Sequence, residues 1–455
     1  MAFLHSHSTE CMSSELDLFT LPATQTSIES SSFMHYKPVS SLSDDVDAPL
    51  EFVVPAGSEH YFDLAHTMLH VQAKIVPADE ATATTEDLKV GPINNFMHSM
   101  FNQIDVFFNQ KIVSPPNNAY PYRAYIETLL NYAPAAKDSH LTASLWYDDT
   151  SGGFDSPANA VSTATAPIIV NKGLENRKYF TQNRRYFDMI GHLHHDLFNQ
   201  DKINKMLING VEMRVRLVRS KDAFCLMDAT ADGKFKLSIK EATLIVRRVK
   251  ISPGVLLAHA QALSKTTAKY PITRVEVKSF TLHSGILGDS IDNVIHGQLP
   301  KRIIWGFVEN KAFNGNRALN PFNFQHFSIN YISLYVDGVQ IPSKPLQPRF
   351  TGLDKLYIDA FQTLYTGTGV HFLNEGFGIN RYNYYKGNFL TAFDLTPDLS
   401  AHCATHWNLV RSGSIRIEVR FETALLTAIN CIVYAEYDNV LEIDSNRQII
   451  TDFSA

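Results

Sequence analysis

Two short stretches of the chain alternate strictly between apolar and charged residues. From Val211 to Leu217 the odd positions (Val211, Met213, Val215, Leu217) are apolar and the even ones (Glu212, Arg214, Arg216) are charged. From Ile415 to Phe421 the same rule holds, with Arg416, Glu418 and Arg420 between apolar neighbours. Period two puts every apolar side chain on one face, so each stretch predicts a strand with one face in a core and one in water. Further strands are predicted over 236–252, 273–283, 301–309, 331–341 and 429–443, where β-branched and aromatic runs are bounded by Gly, Pro, Asn and Asp. Helical spacing is confined to short pieces. Tyr122, Tyr125, Ile126, Leu129 and Leu130 form the stripe of an amphipathic helix over 120–132. Leu356, Ala360, Phe361 and Leu364 form another over 355–364, and a third helix is expected over 255–268.

The pattern occurs twice. Residues 95–109 align without gaps to 323–337, an offset of 323 − 95 = 228. Asn95, Phe96, His98, Asn102 and Ile104 are identical to Asn323, Phe324, His326, Asn330 and Ile332. Each copy leads into a Pro-bearing turn (Pro115 and Pro116; Pro342 and Pro345) and then a helix carrying Tyr125-Ile-Glu or Tyr357-Ile-Asp. Arg185-Tyr-Phe-Asp188 is echoed by Thr391-Ala-Phe-Asp394, followed in each half by the alternating strand and a long final strand. Repeats of solenoids run about 20–50 residues, so this is a duplication of a whole all-β domain. A two-sheet sandwich fits each copy, and the jelly roll is the common architecture of that description. Strand order stays open at this level.

Composition narrows the function. The 455 residues are 45% hydrophobic, 11% aromatic and only 19% charged, which is a folded chain with room for two or three domains. Forty basic residues against 46 acidic ones give a net charge of −6, a poor balance for coating nucleic acid. Residues up to Ser43 are rich in Ser and Thr and read as an arm that orders against something else. Cys11, Cys225, Cys403 and Cys431 have no metal-binding or paired spacing, so no disulfide is expected. No stretch approaches the ~18 apolar residues of a membrane helix. The expectation is a soluble protein from a reducing compartment.

Candidate chemistry is sparse. His192, His194 and His195 are the one dense run of metal-ligand types, with His192 and His194 expected on one strand face as in a cupin-like centre. The matching stretch of the second half, 394–398, has no histidine, which favours a structural or surface role. His98 and His326 recur at matching positions and are expected to make a hydrogen bond at a strand entry. Asp148 and Asp149 are read as a polar turn. Arg177, Lys178, Arg184 and Arg185 form a basic patch, a candidate weak contact with nucleic acid or an acidic neighbour. Phe377, Tyr382, Tyr384 and Tyr385 make an aromatic loop that could fill an interface or stack on sugars. No catalytic, cofactor-binding or metal residues are assigned, and no cofactor or small-molecule substrate is expected.

Longer strings carry a resemblance. Ser14-Glu-Leu-Asp-Leu-Phe19, Gln25-Thr-Ser-Ile28, Ala119-Tyr-Pro-Tyr-Arg-Ala-Tyr-Ile-Glu-Thr128, Arg219-Ser-Lys-Asp-Ala-Phe224, Lys269-Tyr-Pro-Ile272, Gly297-Gln-Leu-Pro300, Asn320-Pro-Phe-Asn323 and Pro345-Leu-Gln-Pro348 resemble a family of animal-genome proteins. That family is similar to the hexon-like major capsid proteins of Polinton/Maverick elements and adintovirus-like viruses. The resemblance spans the chain from about Met12. It implies an all-β double jelly roll with short helices in loops: an arm over 1–43, jelly rolls over 44–254 and 270–445, a connector over 255–269 and a tail over 446–455. It further implies a non-enzymatic virion protein, forming homotrimers that tile an icosahedral shell with penton and minor capsid proteins. A tandem glycan-binding module is the alternative, and a cupin-like metalloenzyme a third reading.

Overall fold

The computed structural model describes residues 5–42, 48–78, 89–114, 119–160, 168–198, 205–228, 235–370, 375–403 and 405–451. The first half contributes β1 (Ile28–Tyr36), β2 (Leu50–Val54), β3 (His60–Pro77), β4 (Val90–Pro92), β5 (Phe101–Phe108), β6 (Lys111–Ile112), β7 (Phe187–His192), β8 (Met213–Arg219), β9 (Leu226–Asp228) and β10 (Phe235–Ile251). The second contributes β11 (Ala268–Leu282), β12 (Gly288–Gln298), β13 (Arg302–Glu309), β14 (Ile329–Val336), β15 (Val339–Leu346), β16 (Leu390–Asp394), β17 (Ser412–Phe421), β18 (Ile429–Ile443) and β19 (Ile449–Thr451).

The sheet orders are β1-β10-β3-β7 facing β2-β8-β5-β6 in the first half, and β11-β18-β13-β16 facing β12-β17-β14-β15 in the second. Setting aside the small β4-β9 ribbon and β19, strand for strand these are the same antiparallel order. It is that of a jelly roll, so the chain is a double jelly roll. Register repeats as well. Ile104 lies opposite Leu217 on β8, and Ile332 opposite Val419 on β17. The ladder slips between Phe101 and Gln103 in one copy and between Ile329 and Tyr331 in the other, so even the bulge sits 228 residues apart (329 − 101). The alternating strands behave as their pattern dictates: Met213, Val215 and Leu217 are fully buried, as are Ile415, Ile417 and Val419.

Several expectations need correction. The arm placed over 1–43 contains β1, the outer strand of the first jelly roll, so that domain begins near Ile28. Ser-rich strands read as tethers because their composition hides the ladder that fixes them. The single strand expected over 331–341 is the hairpin of β14 and β15, turned at Asp337 and Gly338, both with positive φ. Pro115 and Pro116 lie outside the described residues. The connector is the helix Pro253–Leu263 and runs directly into β11. The tail includes β19, paired to the end of β18. Between the first helix and β7 the chain also forms the helix Lys172–Thr181 and buries Trp146 fully.

Candidate functional site

The densest chemistry lies where the two jelly rolls meet. The helix Tyr120–Asn131 has an amphipathic pattern, yet its polar residues Arg123, Glu127 and Thr128 are also buried. Arg123 and Glu127 lie beside Tyr434 of the second jelly roll, whereas Thr128 bonds Asn95 and His194 of the first. Arg123 Nε donates to Glu127 Oε1 at 2.9 Å and Arg123 Nη2 reaches Asp196 Oδ1 at 2.7 Å. Asp196 Oδ1 also accepts from the Val275 backbone N–H on β11 at 3.2 Å. The Tyr434 hydroxyl on β18 donates toward Glu127 Oε1 (3.3 Å) and lies 3.1 Å from Glu436 Oε1. Burial alone would raise the Glu127 carboxyl, but Arg123 and His194 outweigh it and hold it at about 2. For Asp196 burial wins and its carboxyl sits above the ordinary range despite Arg123. Beside this network Tyr125 stacks on Phe322 with ring centroids 4.2 Å apart. The ion pairs lie within the first jelly roll, and the bonds from Val275 and Tyr434 carry the cluster across to the second.

A cavity of about 520 Å³ opens beside the helix, lined by His98, His140, His192, His194, His195 and Glu127 among others. Four of these histidines make hydrogen bonds within the fold. His98 Nδ1 lies 2.9 Å from the Tyr120 hydroxyl, His192 Nδ1 3.2 Å from the Thr67 carbonyl, and His194 Nδ1 2.7 Å from Glu127 Oε2. His195 Nδ1 accepts from the Leu197 N–H at 3.2 Å. Burial pushes the proton affinity of His98 and His195 down, so both rings are neutral. Strand β7 ends at His192, so His194 does not share its face, contrary to the cupin-like expectation. Among the described residues no group of three or more His, Cys, Asp or Glu side chains could hold a metal ion.

His98 and His326 both sit just before a strand and hydrogen bond there, His326 Nδ1 accepting from the Ser328 N–H at 2.9 Å while its ring stacks 4.0 Å from Phe350. The basic patch divides. Arg177 is fully buried, donating to the Pro92 carbonyl at 2.8 Å and to Asp149 Oδ1 at 2.6 Å, and Lys178 is 5% exposed. Neither can touch a genome; Arg184 and Arg185 are exposed. Sequence spacing missed this because helical residues on the inner face carry no mark of their burial. Asp148 is exposed, as a turn residue would be, but Asp149 is buried. Asp149 Oδ2 accepts from Asn320 Nδ2 at 2.9 Å, pinning the second half, and desolvation raises the Asp148 carboxyl.

The loops after the two helices touch: Gly152 N–H donates to the Lys386 carbonyl at 2.8 Å and Lys137 Nζ to the Phe377 carbonyl at 2.7 Å. The aromatic loop is folded inward, with Tyr384 fully buried and Phe377 stacked 4.4 Å from Tyr365. Tyr382 is exposed. Tyr385, edge to face with it at 5.6 Å, is half-buried.

No family model matches the chain. An uncharacterized protein of Caenorhabditis elegans is 25% identical over 452 residues, covering 95% of this chain and 99% of its own length. Among solved structures, a chain in the cryo-EM structure of the Sputnik virophage superposes with a TM-score of 0.65 at 11% identity, over 98% of this chain and 93% of that one. The mavirus major capsid protein superposes at 0.55 with 13% identity, over 99% and 95%. The Faustovirus major capsid protein does so at 0.54 with 10% identity, over 93% and 92%. At these identities the likeness is one of fold, and it extends over both jelly rolls and their junction.

Proposed function

We propose that this chain is a major capsid protein: a structural, non-enzymatic subunit that forms trimers of pseudo-hexagonal outline and tiles an icosahedral shell. One observation carries the reading. Two jelly rolls of identical strand order are held side by side in one chain by a buried hydrogen-bonded and aromatic junction, and the mavirus and Faustovirus proteins that share this whole-chain arrangement are major capsid proteins. Three such chains present six similar blocks, so one gene product fills a hexagonal lattice. The place of action is then the virion, with penton and minor capsid proteins as partners. The strings quoted above support a Polinton or adintovirus-like origin. Any genome contact falls to Arg184 and Arg185, since Arg177 and Lys178 are inside.

Negative-stain microscopy of the expressed protein tests the reading. Hexagonal capsomers or closed shells are expected. A protein that stays monomeric at micromolar concentration overturns it.

A further inference from the structure

The two jelly rolls are copies, but they are not equally covered. Strand β11 begins opposite Ile443, the last residue of β18, and β1 begins opposite Ile251, the last residue of β10, so the two are equivalent outer strands. In the first nine residues of β11, Tyr270, Ile272, Thr273, Arg274 and Val275 are buried. None of the nine residues of β1 is buried, and Phe33 and Met34 are 49% and 40% exposed.

The cover on β11 comes from the first jelly roll of the same chain, through the segment between β7 and β8. The Tyr270 hydroxyl accepts from the Ile208 N–H at 3.1 Å and donates to the Met206 carbonyl at 3.2 Å, and Asp196 takes the Val275 N–H. Leu207 and Ile208 are accordingly 0% and 5% exposed. The second jelly roll has the same segment between β16 and β17. Since Leu217 and Val419 occupy one register position (419 − 217 = 202), Leu207-Ile208 corresponds to Leu409-Val410. Leu409 and Val410 are 92% and 69% exposed, with Trp407 and Leu399 exposed beside them. The helices tell the same story. Glu127 is buried in the junction, whereas Asp359, at its place in the helix Ile358–Thr368, stands in solvent next to the exposed Ile358.

One jelly roll thus keeps an outer strand with no cover, and the other keeps a cover with no strand. We infer that the segment between β16 and β17 of one copy, centred on Leu409 and Val410, packs over β1 of the next copy, repeating between chains the junction already built within the chain. Such a contact is heterologous, head to tail, and it must close into a ring or run on as a fibre. Closure at three copies rests on the capsid reading above; the contact itself rests on the unequal burial of equivalent residues. The apolar exposure also fits, because isolated exposed leucines are ordinary but a run of them rimmed by polar residues marks an association surface.

The test uses the full chain in three forms. Wild type is expected to sediment as a trimer of the 51.1 kDa chain, and Leu409→Asp/Val410→Asp as a monomer with an unchanged far-ultraviolet spectrum. A Phe33→Cys/Val410→Cys protein carrying Cys11→Ser and Cys403→Ser should, with a short bis-maleimide, give a ladder ending at three chains. Each single-cysteine control should give none, because a head-to-tail contact brings unlike residues together. Monomeric wild type sinks the capsid reading itself. Trimeric wild type with a trimeric Leu409→Asp/Val410→Asp variant and no ladder overturns only this surface. If that variant misfolds, the ladder alone decides.

Discussion

Asn109 and Asp337 occupy the same point of the two jelly rolls and make the same two bonds. Both have left-handed backbones, with φ of 47° and 50°. Asn109 N–H donates to the Glu212 carbonyl at 3.0 Å while its Oδ1 accepts from Glu212 N–H at 2.9 Å. Asp337 does likewise with Ser414, at 3.0 and 2.8 Å. A short acceptor side chain that tolerates positive φ closes the hairpin onto the neighbouring strand in each copy.

That pairing predicts an exchange. Asp337→Asn should leave the melting temperature nearly unchanged, because Asn already does this work at position 109. Asp337→Ala and Asn109→Ala should each cost about 1–2 kcal/mol, from a lost hydrogen bond and left-handed strain on a residue with a Cβ. Denaturant titration of the variants measures both; an Ala variant as stable as wild type would contradict the account.

At the junction, Arg123→Ala leaves Glu127 and Asp196 buried without their cation. The expected loss is about 3–5 kcal/mol, the scale for breaking a buried ion pair from one side. Urea unfolding followed at the tryptophans reads it, and a loss below about 1 kcal/mol would show the network to be solvated.

Acid should weaken the fold through its histidines. Burial lowers the His326 ring to about 4, and pushes His98 and His195 down as well. The unfolded chain takes up these protons below about pH 6.5 while the folded chain refuses them. Stability is therefore complete above pH 6.5 and falls as the pH drops toward 4. Glu127, held at about 2, keeps its contribution through that window and gives it up only in stronger acid. His326→Phe should melt with a shallower pH dependence between 6.5 and 4. Comparing it with wild type cancels Asp148, Asp155 and Asp196, whose carboxyls desolvation pushes up and which change in the opposite sense. Parallel curves for the two proteins would remove His326 from the account.

The thiols should divide into two classes. Cys11 is exposed, while Cys225 and Cys431 are fully buried, and burial pushes the Cys225 thiol up to about 12. Alkylation of the native, unreduced protein should label Cys11 within minutes and leave Cys225 and Cys431 unmodified until denaturant is added. Mass spectrometry then finds all four as free thiols; an intact bridge at high occupancy contradicts this.

By itself the sequence determined the all-β class, the alternating strands β8 and β17 and the duplication, because period two and a gapless offset of 228 are properties of local order along the chain. What it could not decide is which copy of each repeated element is covered. Leu207 and Leu409 have like neighbours in sequence, and so do Glu127 and Asp359, yet one of each pair is buried and the other exposed. The Ser-rich β1 and the inward-facing Arg177 escaped notice for a related cause. Hydrophobic pattern reports a residue's own preference for water, whereas burial at a domain junction is imposed by the partner surface that tertiary packing brings over it.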